Sequence, residues 1–247
     1  MNPKSVLITG ANRGIGLEFV KQFLPLKPTY IFATCRNPEA ASDLKELQKS
    51  NSNIHIIKLE MSNEEDHVEM AKVVTKELNG QGLNLLINNA GVLSAVHKLQ
   101  DVSSEIMMSE YMTNCIGPLL STKALMPLLE KAAEDNKDMP VGCSRSAIIN
   151  ISTKVASIAD NGMGGLYPYR ASKVAQNMVS KNLSIEFGPK GILVAILHPG
   201  WVQTDMGTSR AITKTEDSVA GMMKCLEIMT EKDQATFRDF NNKMIPW

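Results

Sequence analysis

The stretch SVLITGANRGIGLEF, residues 5–19, joins an apolar run to a turn that is rich in glycine. The run SVLIT predicts a buried strand, and residues 15–24 have the period of a helix. Gly10, Gly14 and Gly16 therefore lie where a strand leads into a helix. Glycines at such a point permit a tight turn and let backbone N–H groups at the helix N-terminus approach a phosphate. The stretch predicts a turn that binds a pyrophosphate, and the alternative is a tight turn without a ligand.

The rest of the chain repeats this alternation of apolar runs and helical stretches. Strands that are apolar along their whole length, separated by helices, indicate a parallel sheet that is covered on both faces. We therefore expect an α/β fold with a doubly wound parallel sheet in a single domain. The further predicted strands are TYIFATC (29–35), NIHIIKL (53–59), LNLLIN (83–88), AIINIS (147–152) and ILVAILH (192–198), and the helical stretches that follow them are 39–49, 63–79, 101–131, 167–187 and 215–230.

Two polar stretches interrupt this pattern. Residues 130–146, EKAAEDNKDMPVGCSRS, predict a surface excursion. Residues 206–217, MGTSRAITKTED, follow the carboxyl end of the last predicted strand, and this is the edge at which open α/β sheets bind ligands. The second stretch is therefore the candidate substrate loop.

The composition excludes several classes of partner. The 247 residues carry 26 Lys and Arg against 26 Asp and Glu, so no net field favours nucleic acid or an anionic membrane. No apolar run reaches the roughly 18 residues of a spanning helix, and the N-terminus enters a predicted strand at once. The cysteines form no C-x-x-C pair and the histidines no cluster. We expect a cytoplasmic protein with neither a disulfide framework nor a metal site.

The glycine turn departs from the pattern G-x-G-x-x-G, because three residues separate its first two glycines and one separates the last two. The pattern T-G-x-x-x-G-x-G resembles the nucleotide turn of the short-chain dehydrogenase/reductase family. More narrowly, GGLYPYRASK (164–173) and the terminal IPW resemble the carbonyl reductases of the sniffer type and the C-factor-like proteins. Further family motifs follow in order: NNAG (88–91), Asn114 in the next helix, Tyr169 and Lys173 as Y-x-x-x-K, and PGWVQTDM (199–206).

The resemblance implies a Rossmann fold that binds NADP(H) along the carboxyl edge of the sheet. It implies contacts from the glycine turn, from the ends of the second, third and fourth strands, and from the motif after the sixth strand. Glu60 stands where the family usually has an Asp that contacts the adenine. The implied cofactor-binding residues are Gly10, Asn12, Arg13, Gly14, Ile15, Gly16, Arg36, Glu60, Met61, Asn89, Ala90, Gly91, Tyr169, Lys173, Pro199, Gly200, Val202 and Thr204.

The choice between NADH and NADPH rests on the end of the second strand. An acidic residue there would accept a hydrogen bond from the ribose 2′-OH and would repel a 2′-phosphate. The sequence ATCRNP has Arg36 and no acid, and Arg13 in the glycine turn lies within reach of the same corner. Guanidinium groups suit a phosphate, so NADP(H) is the predicted cofactor. The alternative is that both arginines are solvated surface charges.

Tyr169 is the candidate general acid. It precedes Lys173 by four residues, so the two side chains share one face of a helix, whereas Tyr167 is six residues from the lysine and points elsewhere. A neighbouring ammonium favours the phenolate, so Lys173 is expected to lower the pKa of Tyr169. The resemblance implies that Lys173 also binds the nicotinamide ribose and that Asn114 holds a water that relays protons.

The family's catalytic serine position falls on Thr153, because the strand ends with Asn150, Ile151, Ser152 and Thr153. Threonine keeps the hydroxyl that would donate to a substrate carbonyl, but its methyl restricts χ1 and occupies space beside the reacting carbon. Ser152 is expected to point to the opposite side of the strand. Ser157 is a second candidate for the missing serine.

These motifs predict the NADPH-dependent reduction of a ketone, aldehyde or quinone, by a monomer or a homodimer that acts on a small molecule. Two alternatives stay open: dehydrogenation of a lipid-like alcohol such as a steroid or retinoid, and a nucleotide-bound signalling protein with weakened catalysis. Thr153 and Glu60 favour the last alternative, and the intact Tyr169 and Lys173 weigh against it. Trp201 is either a packing residue or a wall of the substrate site.

Overall fold

A parallel sheet forms the centre of the computed structural model, which describes residues 1–247. Its strands are β1 (Ser5–Ile8), β2 (Tyr30–Cys35), β3 (Ile54–Lys58), β4 (Leu85–Asn88), β5 (Ala147–Ile151), β6 (Leu193–His198) and β7 (Phe237–Asp239). From one edge of the sheet to the other, the order is β3, β2, β1, β4, β5, β6, β7, and every neighbouring pair is parallel. The predicted doubly wound α/β fold is confirmed.

Seven helices connect the strands. They are α1 (Gly14–Phe23), α2 (Ser42–Ser50), α3 (Glu64–Leu78), α4 (Ser104–Tyr111), α5 (Gly117–Asp135), α6 (Tyr167–Phe187) and α7 (Thr215–Ile228). Buried side chains of α1, α2 and α7 pack on one face of the sheet, and those of α3, α5 and α6 pack on the other. No helix combines the length and the apolar character that crossing a membrane requires.

Alternate residues of each strand divide the core between these two layers. On β1, Val6 and Ile8 belong to the cluster that includes Leu17 of α1, whereas Leu7 belongs to the cluster that includes Leu129 of α5. Each fully buried side chain of this size contributes about 1.5–3 kcal/mol to the free energy of folding. Since both faces are covered, the central strands are buried along their length and appear as continuous apolar runs in the sequence, whereas the edge strand β3 ends with the exposed Lys58.

The seventh strand was not predicted. It has three residues, of which only Phe237 is fully buried, so no apolar run marks it. It pairs with β6 from Ile196 opposite Phe237 to His198 opposite Asp239. The strand forms because the open edge of β6 offers unpaired backbone groups, and sequence periodicity does not report that edge.

The helix predicted for residues 101–131 is interrupted. Between α4 and α5 lies a π-helical turn, Met112–Ile116, in which the N–H of Gly117 reaches back to the carbonyl of Met112. Pro118 has no N–H to donate to the preceding turn, which accommodates the shift in hydrogen bonding. Such single turns often lie at functional sites, and this one carries Asn114.

The two polar stretches differ from their predictions at their ends. The stretch 130–146 begins inside α5, which continues to Asp135, and Cys143 within it is buried in the core. The candidate substrate loop 206–217 is irregular up to Lys214, and its last three residues form the start of α7, which begins at Thr215.

A crevice opens at the middle of the sheet. β1 and β4 lie side by side, but the chain leaves β1 for α1 on one face and leaves β4 for α5 on the other. Ligands of open α/β sheets bind where neighbouring connections diverge in this way, outside the carboxyl ends of the strands. This point of divergence is where the predicted site residues come together.

Candidate active site

A cleft of about 620 Å³ lies at the carboxyl ends of the central strands, within the range of pockets for small molecules and cofactors. It extends from the end of β2 across the glycine turn to the start of α6. The predicted residues that line it are Gly10, Asn12, Arg13, Gly14, Ile15, Arg36, Glu60, Met61, Asn89, Ala90, Gly91, Tyr169, Lys173, Pro199 and Thr204. Five predicted residues do not line it, namely Gly16, Asn114, Thr153, Gly200 and Val202.

The glycine turn leaves the N-terminus of α1 open to an anion. Gly10 and Gly14 have φ values of 65° and 53°, which favour glycine. Arg13 precedes the helix without a capping side chain, and the first turn has no acidic residue, so the terminal N–H groups have no partner of their own. A Cβ on Gly16 would collide with the carbonyl oxygen of Gly10, so this glycine keeps the turn tight. The turn fits a pyrophosphate.

Thr9 braces the glycine turn against the end of β4, and the sequence analysis did not identify it. Its Oγ1 accepts hydrogen bonds from the N–H groups of Asn89 and Ala90, both at 3.0 Å. The Asn89 amide donates to the carbonyls of Thr9 and Gly10 at 3.0 and 3.2 Å. The available signal was the threonine that opens T-G-x-x-x-G-x-G, because its hydroxyl oxygen can accept two hydrogen bonds.

Both predicted guanidinium groups line the cleft, but the structure shows only Arg36 at the end of β2, whereas Arg13 contacts the loop after β6. Arg36 is exposed and lines the cleft directly after β2. Arg13 Nη1 lies 2.8 Å from Asp205 Oδ2, and both side chains are well exposed. An exposed ion pair contributes only about 0–1 kcal/mol, so a phosphate can compete for Arg13. Glu60 instead accepts a weak hydrogen bond from the hydroxyl of Ser62.

Tyr169 and Lys173 reach the cleft from the first turns of α6. Lys173 is only 3% exposed, and its Nζ donates to the carbonyl of Ile151 and to Gln176 Oε1, both at 2.9 Å. Tyr167 is exposed and lies outside the cleft lining. The structure therefore gives the cleft one phenol and one ammonium from the same helix face.

The expected lowering of the pKa of Tyr169 is wrong in this structure. Burial, and next the negative charge of Glu110, raise the pKa of the phenol above its ordinary value. Burial also lowers the pKa of Lys173 to about 8. The physical reason is desolvation, which disfavours the charged form of each group more than the helical neighbour favours it.

Asn114 joins three parts of the site behind the cleft. Its Oδ1 accepts from the N–H of Val92 at 2.8 Å, and its Nδ2 donates to the carbonyl of Val92 at 2.9 Å and to Ser172 Oγ at 3.0 Å. The residue is fully buried in the π-helical turn. A side chain on Gly91 would crowd Asn114 Oδ1, so the glycine is needed for this packing. The predicted water relay through Asn114 stays a prediction.

The hydroxyls after β5 are arranged differently from expectation. Thr153 is 9% exposed, and its Oγ1 accepts from the N–H of Val155 at 3.4 Å. Ser152, expected to point away, contributes to the cleft lining, and its buried Oγ has no partner. The strand ends at Ile151, so its alternation does not extend to these residues. Ser157 contacts the C-terminal residue instead, since its Oγ lies 3.4 Å from the carbonyl oxygen of Trp247.

The loop after β6 closes one end of the cleft. Pro199 and Thr204 line it, whereas Gly200 packs against Phe240 and Val202 is buried opposite Thr213. The indole N–H of Trp201 donates to the carbonyl of Gly207 at 2.8 Å, although the residue is 52% exposed. Trp201 therefore holds the start of the candidate substrate loop. Met206 and Thr215 of the predicted substrate loop also line the cleft, as do Gln203 and Asp205 of the preceding motif, which had not been assigned to the site individually.

Glu110 is a further residue that the sequence analysis missed. It is 2% exposed on α4, one helical turn before Asn114, and its Oε1 accepts from the N–H of Ser94 at 2.6 Å. Its Oε2 is buried and has no partner. The sequence shows only an acidic residue four positions before the motif asparagine, which does not reveal that the side chain is buried.

The chain is similar to several known oxidoreductases. Residues 4–215 match the family model of the short chain dehydrogenases. The carbonyl reductase Sniffer of D. melanogaster has a TM-score of 0.97 at 39% identity, covering 99% of this chain and 100% of that one. The NADPH-bound carbonyl reductase from chicken fatty liver has a TM-score of 0.95 at 40% identity, covering 100% of both chains.

A signalling protein is also among the relatives. The C-signal protein of Myxococcus xanthus is 34% identical over 165 residues, which are 67% of this chain and 93% of that protein. The resemblances to sniffer carbonyl reductases and to the C-factor-like proteins are therefore confirmed. Because the family model matches residues 4–215 and the sheet has the corresponding parallel order, the chain belongs to the short-chain dehydrogenase family of oxidoreductases.

Proposed function

We propose that the protein reduces the carbonyl group of a ketone, aldehyde or quinone with NADPH, and that Tyr169 is the general acid. The observation that carries this proposal is that Tyr169 and Lys173 face the same cleft onto which the glycine turn opens. A donor of protons and a dinucleotide site in one crevice are what carbonyl reduction requires. When bound, NADPH supplies the hydride.

The residues of the cleft fit this cofactor. The open N-terminus of α1 suits the pyrophosphate, and Arg36 and Arg13 suit a 2′-phosphate. We assign Lys173 to the nicotinamide ribose, and the Val202 backbone and Thr204 side chain to the carboxamide. The carbonyl reductase from chicken fatty liver, at 40% identity, binds NADPH, which supports the choice of NADP(H) over NAD(H).

The phenol of Tyr169 is protonated at neutral pH, which is the form that reduction consumes. Because burial raises its pKa and so weakens it as an acid, we assign the Lys173 ammonium to stabilising the phenolate that forms as the proton is transferred. We assign the hydroxyl of Thr153 to polarising the carbonyl oxygen, and Lys173 with Asn114 to returning a proton to the tyrosine. Orienting the carbonyl against the phenol lowers the entropic part of the barrier.

One exposed apolar side chain in the cleft lining, Met206 of the candidate substrate loop, favours a substrate with an apolar body. A lipid-like alcohol, oxidised with the same groups in reverse, is the second candidate substrate class.

A signalling role is the second candidate function, because the C-signal protein is 34% identical to the chain. Such a protein would bind the nucleotide without needing turnover. The presence of Tyr169 and Lys173 in the cleft weighs against lost catalysis. Turnover with any carbonyl compound separates the two functions.

The proposal is tested by replacing the phenol. Tyr169→Phe removes the transferable proton and should lower the rate of NADPH oxidation with isatin, phenanthrenequinone or a hydrophobic aldehyde by at least about 10²-fold. The dissociation constant of NADPH, measured by its fluorescence, should change little, because the glycine turn and the arginines are intact. Tyr167→Phe, on the exposed side of the same helix, is the matched control. Retained turnover in Tyr169→Phe would refute the assigned acid.

The cofactor assignment is tested at Arg36. Arg36→Ala removes a charge-assisted contact worth about 1.5–3 kcal/mol, so NADPH should bind about 10- to 100-fold more weakly while NADH binding is unchanged. Lys49→Ala removes an exposed cation from α2 outside the cleft and should leave both affinities as they are. Equal loss for both cofactors would show that Arg36 does not contact the 2′-phosphate.

A further inference from the structure

Two buried ionisable side chains near the cleft lack a contacting partner of opposite charge. Lys173 is 3% exposed, and its Nζ donates to a backbone carbonyl and to an amide oxygen, both neutral. Glu110 is 2% exposed, with one oxygen held by the N–H of Ser94 and the other unpartnered. Burying an isolated charge is costly, so buried charges in proteins are compensated by charges of opposite sign.

The two helices that carry these residues pack together. α4, with Glu110, lies against α6, which carries Tyr169 and Lys173. Glu110 and Asn114 are one turn apart and hold successive parts of the same segment, since Asn114 binds Val92 and Glu110 binds Ser94. Glu110 is thereby fixed beside the site by its own hydrogen bond, without a contact to the reacting groups.

We propose that Glu110 is a positioning residue whose carboxylate compensates the buried Lys173 ammonium from α4, holds the 92–94 segment at the cleft, and keeps Tyr169 and Lys173 protonated at neutral pH. The catalytic consequence rests on the proposed carbonyl reduction. Carbonyl reduction needs Tyr169 protonated and Lys173 charged. Loss of the Glu110 carboxylate should therefore lower the upper pH limit of activity.

The other groups that face Lys173 do not supply this charge. From β5 the lysine meets a backbone carbonyl, and from its own helix it meets the Gln176 amide. From the π-helical turn it faces the thiol of Cys115, whose pKa is raised by burial, so that the thiol is neutral at neutral pH. Burial lowers the pKa of Lys173, while Cys115 and then Glu110 raise it, and burial and then Glu110 raise the pKa of Tyr169. The carboxylate is therefore the negative charge available to both.

The test replaces the charge and keeps the shape. Glu110→Gln retains an oxygen for the Ser94 N–H, and Glu110→Met removes the charge without adding an amide NH₂, although the Ser94 N–H then loses its acceptor. In ¹⁵N-lysine-labelled protein, with the Lys173 signal identified by its loss in Lys173→Met, both variants should lower the titration midpoint of Lys173 by about one pH unit. Glu105→Gln, an exposed acid on the same helix, is the control that should leave it in place.

Kinetics provide the second readout. The alkaline limb of kcat/KM for NADPH oxidation with isatin should move to lower pH by the same amount in Glu110→Gln, with several-fold loss near pH 8 and little loss near pH 6. A purely structural role would lower activity at all pH values and leave the Lys173 titration unchanged in both variants, and that result would overturn the proposal. If the wild-type protein reduces no carbonyl compound, the proposed function fails, while the titration still decides the role of Glu110.

Discussion

At the scale of single residues, the proposed role of Thr153, whose hydroxyl would polarise the substrate carbonyl, can be tested directly by substitution. Thr153→Val keeps the shape and removes the hydroxyl, so kcat/KM should fall by about 10²-fold or more, as for the loss of one oxyanion donor. Thr153→Ser should retain activity, because the hydroxyl is kept and the methyl beside the reacting carbon is removed. The measurement is steady-state NADPH oxidation with one fixed carbonyl substrate.

Ser152→Ala is the comparison that this prediction needs. Ser152 contributes to the cleft lining and has a buried hydroxyl without a partner, whereas Thr153 lies outside the lining and its hydroxyl accepts a bond from the N–H of Val155. Activity lost in Ser152→Ala and kept in Thr153→Val would move the polarising role to Ser152. Activity kept in Ser152→Ala would leave that role with Thr153.

Residue positions were predictable from the sequence where a motif has a fixed spacing. The i, i+4 spacing of Tyr169 and Lys173 places both at the cleft, and the acid-free end of β2 places Arg36 there. The sign of the Tyr169 pKa shift was not predictable, because spacing reports a neighbour and does not report burial. Glu110 was missed for the same reason, since nothing in its local sequence shows that α4 turns it inward.

At the scale of the secondary-structure elements, the π-helical turn between α4 and α5 is the feature with a measurable cost. Asn114→Ala removes three hydrogen bonds and leaves the buried backbone of Val92 with one donor and one acceptor unpaired. The free energy of unfolding should fall by about 2–4 kcal/mol, equivalent to about 4–16 °C in Tm for a chain of this size. Thermal unfolding followed by circular dichroism measures it.

Asn136→Ala is the matched control for that substitution. Asn136 follows α5, and its amide donates one hydrogen bond, to the carbonyl of Ala132 at 2.8 Å. Its loss should cost no more than about 1 kcal/mol. Equal destabilisation by the two variants would mean that Asn114 does not tie the β4 loop to α6.

Elements with a strong period were predicted well, and those set by backbone geometry were not. Six strands and the helix from residue 167 to 187 appear as expected. Strands that are buried on both faces form apolar runs, and a helix that is buried on one face has an apolar residue every three to four positions, so both leave a clear pattern in the sequence. The break at Met112–Ile116 and the strand Phe237–Asp239 were missed. A shift from i−4 to i−5 bonding changes no hydrophobic period, and a three-residue edge strand is too short to have one.

At the scale of the whole molecule, the class of fold follows from the alternation of apolar runs and helical stretches along the sequence. The order of the strands in the sheet follows instead from the face on which each connecting helix crosses the sheet. Apolar runs predict a two-sided parallel sheet, and right-handed crossovers then limit the arrangements. Which strands become neighbours at the crevice, here β1 and β4, depends on where the direction of winding reverses. The sequence analysis did not predict that order, because neither periodicity nor motif spacing reports which strands pair.

The acid sensitivity of the folded molecule should depend on His198, which lies at the carboxyl end of β6. Its Nδ1 is buried without a partner, and burial lowers its pKa to about 4, while Asp239 opposes and Lys154 adds to the shift. In the unfolded chain a histidine has a pKa near about 6.5. Between about pH 6.5 and about pH 4 the histidine binds a proton in the unfolded chain but not in the folded one. The contribution of His198 to the free energy of unfolding is therefore constant above about pH 6.5 and decreases as the pH falls towards about 4.

His198→Asn removes that titration and makes the prediction measurable. The wild-type free energy of unfolding should fall between about pH 7 and pH 4 by up to about 3 kcal/mol more than that of the variant, as urea denaturation at a series of pH values would show. His97→Asn, at an exposed loop position, controls for the substitution itself. Parallel curves for wild type and His198→Asn would mean that His198 is not held neutral by the fold, and that acid unfolding begins at the carboxylates instead.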